Sequence, residues 1–370
     1  MKTENRWRGL DDWQVLCSFL PHGWRAAARS CGALRRARVV RDAEVLLRLL
    51  LVHLADGCSL QETAVRVRQA GWCEVSAVAI FKRLAAAEEW LRWLAQQLWR
   101  QSVRPPVPSE YRIRAVDATT VQEAGSTGTN WRVHYVIDLS NLQCDHFELT
   151  DAKGGETFRR IAIQPGDLML GDRVYGNPPG VFHVVGSGGA VLVRINVSSL
   201  PLYTSSGRRI ALLSRLRTLR TGQVGQWPAE VKMNGARTSG RLIAVKRGKQ
   251  AAALARRRLE REARRKGRQI GPATLTAAGY VFVWTNLPTR VMSATAALEL
   301  YRLRWQIELA FKRMKSILGL GQLPKSTDAS ARAWIHGKLL VALLIERLLR
   351  AADAVSPWGY RLVLATESMA

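Results

Sequence analysis

Through the first hundred positions, apolar side chains recur every three or four residues. Val45–Leu54, Leu60–Val67, Val78–Leu84 and Trp90–Leu98 each repeat at helical spacing, which predicts an all-helical region over residues 1–100. Ser59-Leu60-Gln61-Glu62 has the form of a capping box and marks a helix start. Gly71-Trp72 breaks that helix, and Ser76 can cap the next, which carries Lys82 and Arg83. Helix, short turn and second helix with basic residues suits a helix-turn-helix DNA reader, and equally a plain helical bundle. Arg35, Arg36, Arg38 and Arg41 add basic surface nearby.

The Pro-rich run at 101–110 predicts an extended linker. Beyond it the period changes to that of strands. Arg112–Val116 alternates towards Asp117, and Trp131–Leu139 and Gln143–Leu149 follow as two more strands. A helical segment is predicted near Glu156–Ile161. The short apolar strand Leu168–Gly171 then delivers Asp172, Pro178–Val185 predicts a helix, and Ala190–Ile195 another strand. The order β-β-β-α-β-α-β is that of a ribonuclease H-like sheet, with a carboxylate at the end of its first and fourth strands. Residues 196–278 interrupt it with short β-like runs at Arg208–Leu213, Glu230–Met233 and Arg241–Lys246. A dense basic helix follows. Between Arg256 and Arg268 there are eight basic residues against two acidic, so this stretch should stay out of any core. Tyr280–Trp284 predicts a buried strand.

Tyr301–Lys315 predicts one continuous helix, with no Gly or Pro before Gly319 and Ser293 as its cap. Leu300, Leu303, Ile307, Ala310, Phe311, Met314, Ile317 and Leu318 form its core face. Tyr301, Arg304, Glu308 and Lys315 fall on a second stripe, about 21 Å long. On pattern alone, such a stripe is the solvated face of an amphipathic helix. A further helix is predicted over Ala331–Ala352.

Charge narrows the partner. The chain has 370 residues with 56 Lys+Arg against 29 Asp+Glu, a net charge of +27. A polyanion is the expected partner, nucleic acid before membrane. No apolar run reaches the length of a membrane span, and the N-terminus has no signal-peptide apolar region, so a cytoplasmic, nucleoid-associated protein is expected. The five cysteines are scattered without zinc spacing and are read as reduced thiols.

The spacing Tyr-x2-Arg-x3-Glu-x6-Lys, within YRLRWQIELAFKRMKSILGL, resembles the YREK signature of bacterial insertion-sequence transposases of the DDE class. RAVDATTV and GDLMLGDRVYG resemble that family's first and second catalytic blocks. The resemblance spans about residues 15–350 and is strongest over 112–176 and 279–345. It implies an α/β fold: a ribonuclease H-like mixed-sheet catalytic core, a β-rich insertion and an N-terminal all-helical DNA-binding domain. The expected layout is 1–100 helical domain, 101–110 linker, 111–195 first part of the core, 196–278 insertion, 279–350 last strand and catalytic helix, and 351–370 a short, truncated tail. Asp117, Asp172 and Glu308 are then the catalytic and metal-binding residues. Their oxygens suit two Mg²⁺ ions, with Mn²⁺ as a substitute, and a metal pair about 4 Å apart serves phosphoryl transfer. Tyr301, Arg304 and Lys315 would bind phosphates. Arg173, Lys82, Arg83, Arg256, Arg257 and Arg258 are the other expected DNA contacts.

The activity implied is cut-and-paste transposition by a homodimer acting on double-stranded DNA, the terminal inverted repeats and the target. A metal-dependent nuclease and a decayed transposase that only binds DNA are the alternatives. Trp284 is read as a core residue rather than as the aromatic that some relatives use to hold a flipped base. Asp138, Asp145, Glu148, Asp151, Glu156 and Asp167 are read as caps, turns and surface.

Overall fold

The computed structural model describes residues 11–35, 39–100, 111–123, 125–126, 128–196, 198–324 and 327–355. The predicted linker at 101–110, Arg36 and Arg38, and positions 356–370 of the predicted tail lie outside them. Packing divides the chain into two compact units. One holds residues 1–104, 120–132 and 310–370, and the other holds 105–119 and 133–309.

The first unit begins, among the described residues, with six helices: α1 (Asp12–Phe19), α2 (Trp24–Ser30), α3 (Ala43–Leu54), α4 (Leu60–Gln69), α5 (Ala77–Ala86) and α6 (Glu88–Arg100). Ser59 and Ser76 cap α4 and α5 by accepting from the backbone N–H groups of Glu62 and Ala79. The Glu62 carboxylate turns to Arg66 instead, at 2.9 Å. Trp24 stacks on Trp90, and the Trp90 indole donates to the Trp24 carbonyl at 3.0 Å.

The compact unit that holds these helices also takes in residues 310–370. A late helix, Asp328–Val355, packs against α6, α5 and α3. Its Lys338 ammonium donates to the Leu54 carbonyl at 2.6 Å, and His336 meets Glu88 at 3.0 Å. Gly337 is required there, because a Cβ would stand 2.5 Å from a Leu54 methyl. The apolar faces of α3 and α6 are closed by this partner.

The second unit is built on a mixed sheet. In chain order its elements start with β1 (Arg112–Glu123), β2 (Trp131–Asp138), β3 (Gln143–Asp151), β4 (Asp167–Gly171), α7 (Pro178–Gly186) and β5 (Ala190–Arg194). They continue with β6 (Leu202–Tyr203), α8 (Leu212–Arg217), β7 (Val224–Pro228), β8 (Glu230–Met233), β9 (Ala236–Thr238) and β10 (Arg241–Lys246). Then come α9 (Lys249–Arg265), α10 (Pro272–Ala277), β11 (Tyr280–Thr285), α11 (Ala294–Arg302) and α12 (Trp305–Ser316). A short strand β12 (Gln322–Leu323) and α13, the Asp328–Val355 helix, follow in the chain and, with residues 310–316 of α12, belong to the first unit.

The main sheet runs β3-β2-β1-β4-β5-β11-β10-β7. β1, β4 and β5 are mutually parallel, while β11, β10 and β7 add antiparallel strands. β7 and β10 come from the predicted insertion yet extend the main sheet. Among the described residues, β6, β8 and β9 form a separate one. Arg208–Leu213, expected as β-like, makes one isolated bridge at Arg209 and then enters α8. The helical segment expected near Glu156–Ile161 is a single 3₁₀ turn, Phe158–Arg160.

The unit's core gathers Phe158, Tyr175, Val181, Val193, Leu242, Phe282 and Trp284. Trp284 is fully buried, and its indole donates to the Ala229 carbonyl at 3.0 Å.

Three aspartates read as cap, turn or surface residues are buried: Asp138, which still caps a turn by accepting from the Ser140 N–H at 2.9 Å, and Asp145 and Asp167. Asp145 and Asp167 are buried against Arg112 and Arg114, with Arg114 to Asp167 at 2.8 Å and Arg112 to Asp167 at 2.7 Å. Arg114 also pairs with Asp145. Arg112 and Arg114 share one face of β1 because strand side chains alternate, and burial of both charges demands this pairing.

Candidate active site

The parallel register of β1 and β4 sets the site. It pairs Ala115 with Leu170. Two residues beyond the last pair, Asp117 lies within β1 and Asp172 just past the end of the neighbouring β4, close enough for the charge of Asp172 to act on Asp117. Asp117 accepts from the Ala118 N–H at 2.8 Å, and Asp172 accepts from the Val174 N–H at 2.8 Å in a tight turn. Burial pushes the Asp117 carboxyl up to about 7, and the neighbouring negative charge of Asp172 adds to it. Arg304 and the Ala118 N–H pull the other way without cancelling the effect.

The third carboxylate comes from the helical region, whose form differs from the expectation. Tyr301–Lys315 is not one helix. α11 ends at Arg302 and α12 starts at Trp305. At the joint, hydrogen bonds tighten to three-residue spacing: Leu303 to Leu300, Arg304 to Tyr301, Gln306 to Leu303 and Ile307 to Arg304. Ser293 caps α11 as expected, accepting from the Ala296 N–H at 3.1 Å. The joint rotates the predicted faces. Tyr301, placed on the polar stripe, is buried, and burial pushes its phenol up to about 12. Leu303 and Ile317, placed on the core face, are exposed, Ile317 by 73%.

Arg304 occupies the joint and bridges two of the predicted site residues. One terminal nitrogen lies 3.5 Å from Asp117, and the other pairs with Glu308 one turn along. Its side chain is 14% exposed, that of Asp117 19% and that of Glu308 58%. The guanidinium also lies 5.9 Å from the Tyr301 ring centre, and its Nε is buried without a hydrogen-bond partner. Two neighbouring hard oxygen donors fit a divalent cation, and the raised Asp117 carboxyl marks negative charge that a cation would relieve. Glu308 is held by Arg304 instead. Among the described residues no three His, Cys, Asp or Glu side chains are gathered closely enough to hold an ion.

A second feature lies in the same unit. A cavity of about 530 Å³ is lined by Arg173, Arg194, Arg247 and Arg258, with Phe282, Ile195 and Leu254 among its apolar walls. Its one acidic lining residue, Glu262, is paired with Lys266 at 2.6 Å. Burial, then the charge of Arg173, holds Arg194 below the ordinary guanidinium range. Burial, then Arg258 and Arg173, does the same to Arg247. Among the described residues none of the four has a carboxylate partner within salt-bridge distance. Arg194 and Arg247 are absent from the sequence-based site. Arg194 has a signal, a single Arg closing the otherwise apolar strand AVLVR, whereas Arg247 follows Lys246 just past the end of β10 and has none.

The remaining predicted contacts are spread out. Arg256, Arg257 and Arg258 are exposed on α9, and Lys315 is exposed on α12. Lys82 is exposed and Arg83 half-buried on α5, after the turn containing Gly71.

The profile of the family described as "Transposase DDE domain" matches residues 108–344. The chain is 36% identical over 351 residues to a protein of Escherichia coli (strain K12), "Putative transposase InsL for insertion sequence element IS186A", covering 92% of this chain and 94% of that one. It is likewise 36% identical over 352 residues to the Escherichia coli "Transposase for insertion sequence element IS421", with the same shares. A more distant match, 21% over 296 residues, is the "Transposase for insertion sequence element IS231C" of Bacillus thuringiensis subsp. berliner, covering 70% of this chain and 62% of that one.

Proposed function

The chain belongs to the DDE transposase domain family, and on that premise we propose that it catalyses cut-and-paste transposition of an insertion sequence. The observation that carries this reading is Asp117 on β1 beside Asp172 at the end of the parallel strand β4, with Glu308 joined to Asp117 through Arg304. In this reading a homodimer grips the terminal inverted repeats in the cytoplasm, associated with the nucleoid. No helix among the described residues is long and apolar enough to cross a membrane.

Asp117, Asp172 and Glu308 would hold two Mg²⁺ ions, with Mn²⁺ able to replace them. When bound, these ions would activate the attacking oxygen and stabilise the leaving one, first in hydrolysis at each element end and then in joining of the 3′-hydroxyl to target DNA. The protein's own share is positioning. Arg304 suits bidentate contact with a phosphate, and Lys315 and Tyr301 act beside the cleaved strand. Arg173, Arg194, Arg247 and Arg258 give a strand's phosphates an uncompensated positive lining next to Asp172, and Arg256 and Arg257 extend it along α9. Lys82 and Arg83 on α5 contact the repeat.

The test is a labelled element-end duplex with Mg²⁺, wild type beside Glu308→Ala. Cleavage and joining by wild type, lost in the variant while end binding persists, is the expected result. Equal cleavage by both would sink the assignment, and nicked ends without joined products would mark a nuclease.

A further inference from the structure

The position of Arg304 assigns it a role beyond phosphate contact. The guanidinium sits where it neutralises two of the three carboxylates, reaching Asp117 at 3.5 Å and pairing with Glu308. A divalent ion drawing on those same oxygens would compete with it for lone pairs and repel its charge. The grip on Glu308 spans one turn of chain at a joint where the backbone is held by three-residue bonds. It is therefore a local contact that can be exchanged without unfolding a helix. Arg304 also holds a donor in reserve, since its buried Nε has no partner in this arrangement. Glu308, the more exposed of its two partners, has room to turn once released.

We propose that Arg304 is an exchange residue that couples DNA engagement to assembly of the metal site. Without DNA its guanidinium spans Asp117 and Glu308 and keeps the third carboxylate from joining the two aspartates. A backbone phosphate of bound DNA takes over the guanidinium, and Glu308 is freed to complete the site. The proposal rests on the transposase reading above. No covalent step is involved, only a change of ion-pair partner, so the coupling must be reciprocal: DNA tightens metal binding and metal tightens DNA binding by one factor.

The experiment measures Mn²⁺ binding by electron paramagnetic resonance on the full chain, with and without an element-end duplex. Wild type, Arg304→Gln, Arg304→Lys and Asp172→Asn are compared, each checked for an unchanged circular dichroism spectrum. Arg304→Gln should bind Mn²⁺ at least about tenfold more tightly than wild type without DNA, the worth of one charge-assisted hydrogen bond. The duplex should tighten wild type by a similar factor and Arg304→Gln little. Arg304→Lys, which keeps the charge but cannot fork to two carboxylates, should fall between them.

Arg304→Gln binding no more tightly than wild type, with Asp172→Asn weakened, would overturn the exchange while leaving the metal reading intact. Mn²⁺ binding unchanged in Asp172→Asn would remove the metal from this site and overturn both. Should Arg304→Gln fail to fold, the wild-type protein alone decides: Mn²⁺ affinity unmoved by the duplex overturns the proposal. Affinity raised by the duplex, with duplex affinity raised equally by Mn²⁺, supports it.

Discussion

Asp117→Asn should make the metal-free protein more stable, even though it removes a residue assigned to catalysis. The Asp117 carboxyl moves from 3.8 to about 7 on folding, mainly through burial and then through Asp172. Its folded-state pKa is raised, so the sign is that of a destabilising charge. At about pH 3.5 the group is largely protonated in both states and costs little. Between 3.8 and about 7 the unfolded chain releases the proton and the folded one keeps it, so stability falls as pH rises. Above about 7 both are ionised, and the whole cost is in place.

That cost is at most about 4 kcal/mol at about 1.4 kcal/mol per pH unit. Water entry and side-chain relaxation should leave about 2 kcal/mol. Asparagine keeps the shape and the acceptor for the Ala118 N–H without the charge. The assay is thermal or urea unfolding in chelator, wild type beside Asp117→Asn, at about pH 4 and about pH 8. The variant should match wild type at the lower pH and exceed it at the higher by about 2 kcal/mol, or about 4–8 °C in midpoint. A variant no more stable than wild type at about pH 8, or an advantage equal at both pH values, would refute the reasoning.

Arg114→Ala should cost about 3–5 kcal/mol in urea unfolding, because it removes one of the two arginines paired with the buried Asp145 and Asp167. Trp284→Ala should cost about 3–5 kcal/mol through its cavity, whereas Trp284→Phe should lose mainly the Ala229 hydrogen bond, about 1 kcal/mol with some packing. Neither Trp284 change should alter the salt dependence of DNA binding. Arg247→Gln with Arg258→Gln should weaken binding of unrelated DNA sequences alike. The pair should also flatten the dependence of log affinity on log salt by about one for each phosphate left without its arginine. An unchanged slope in electrophoretic or fluorescence titrations would separate the cavity from the DNA.

The strands and their carboxylates are only partly legible: Asp172 follows the short apolar strand β4 as expected, whereas β1 runs on past Asp117 to Glu123, so Asp117 lies within its strand rather than at its end. The nearness of Asp117 and Asp172 follows from the parallel pairing of β1 with β4, and that pairing is not written in either block alone. The joint at Leu303-Arg304 is illegible for a different reason. Arg302, Leu303 and Arg304 all favour helix, so propensity carries no mark of the break. The buried Arg112–Arg114–Asp145–Asp167 group leaves a faint trace, charges two apart on a strand that is otherwise core. Exposure statistics argue against burying such residues, so they read as surface until their partners are known. The place of α13 cannot be read at all. Its apolar run predicts that it packs, and only Gly337 hints at how closely.

The bond from Lys338 to Leu54 joins residues 284 positions apart. A ribosome adding about 5–20 residues per second needs about 14–60 s to cover that interval. For that time α3, and for most of it α6, stands finished but uncovered, with an apolar face turned to solvent on a strongly cationic nascent chain. The helical unit can mature only after α13 has left the ribosome. Any product that stops before α13 should therefore be a target for chaperones and proteases rather than a DNA-gripping fragment, and a chain that carries α13 is the first species able to act.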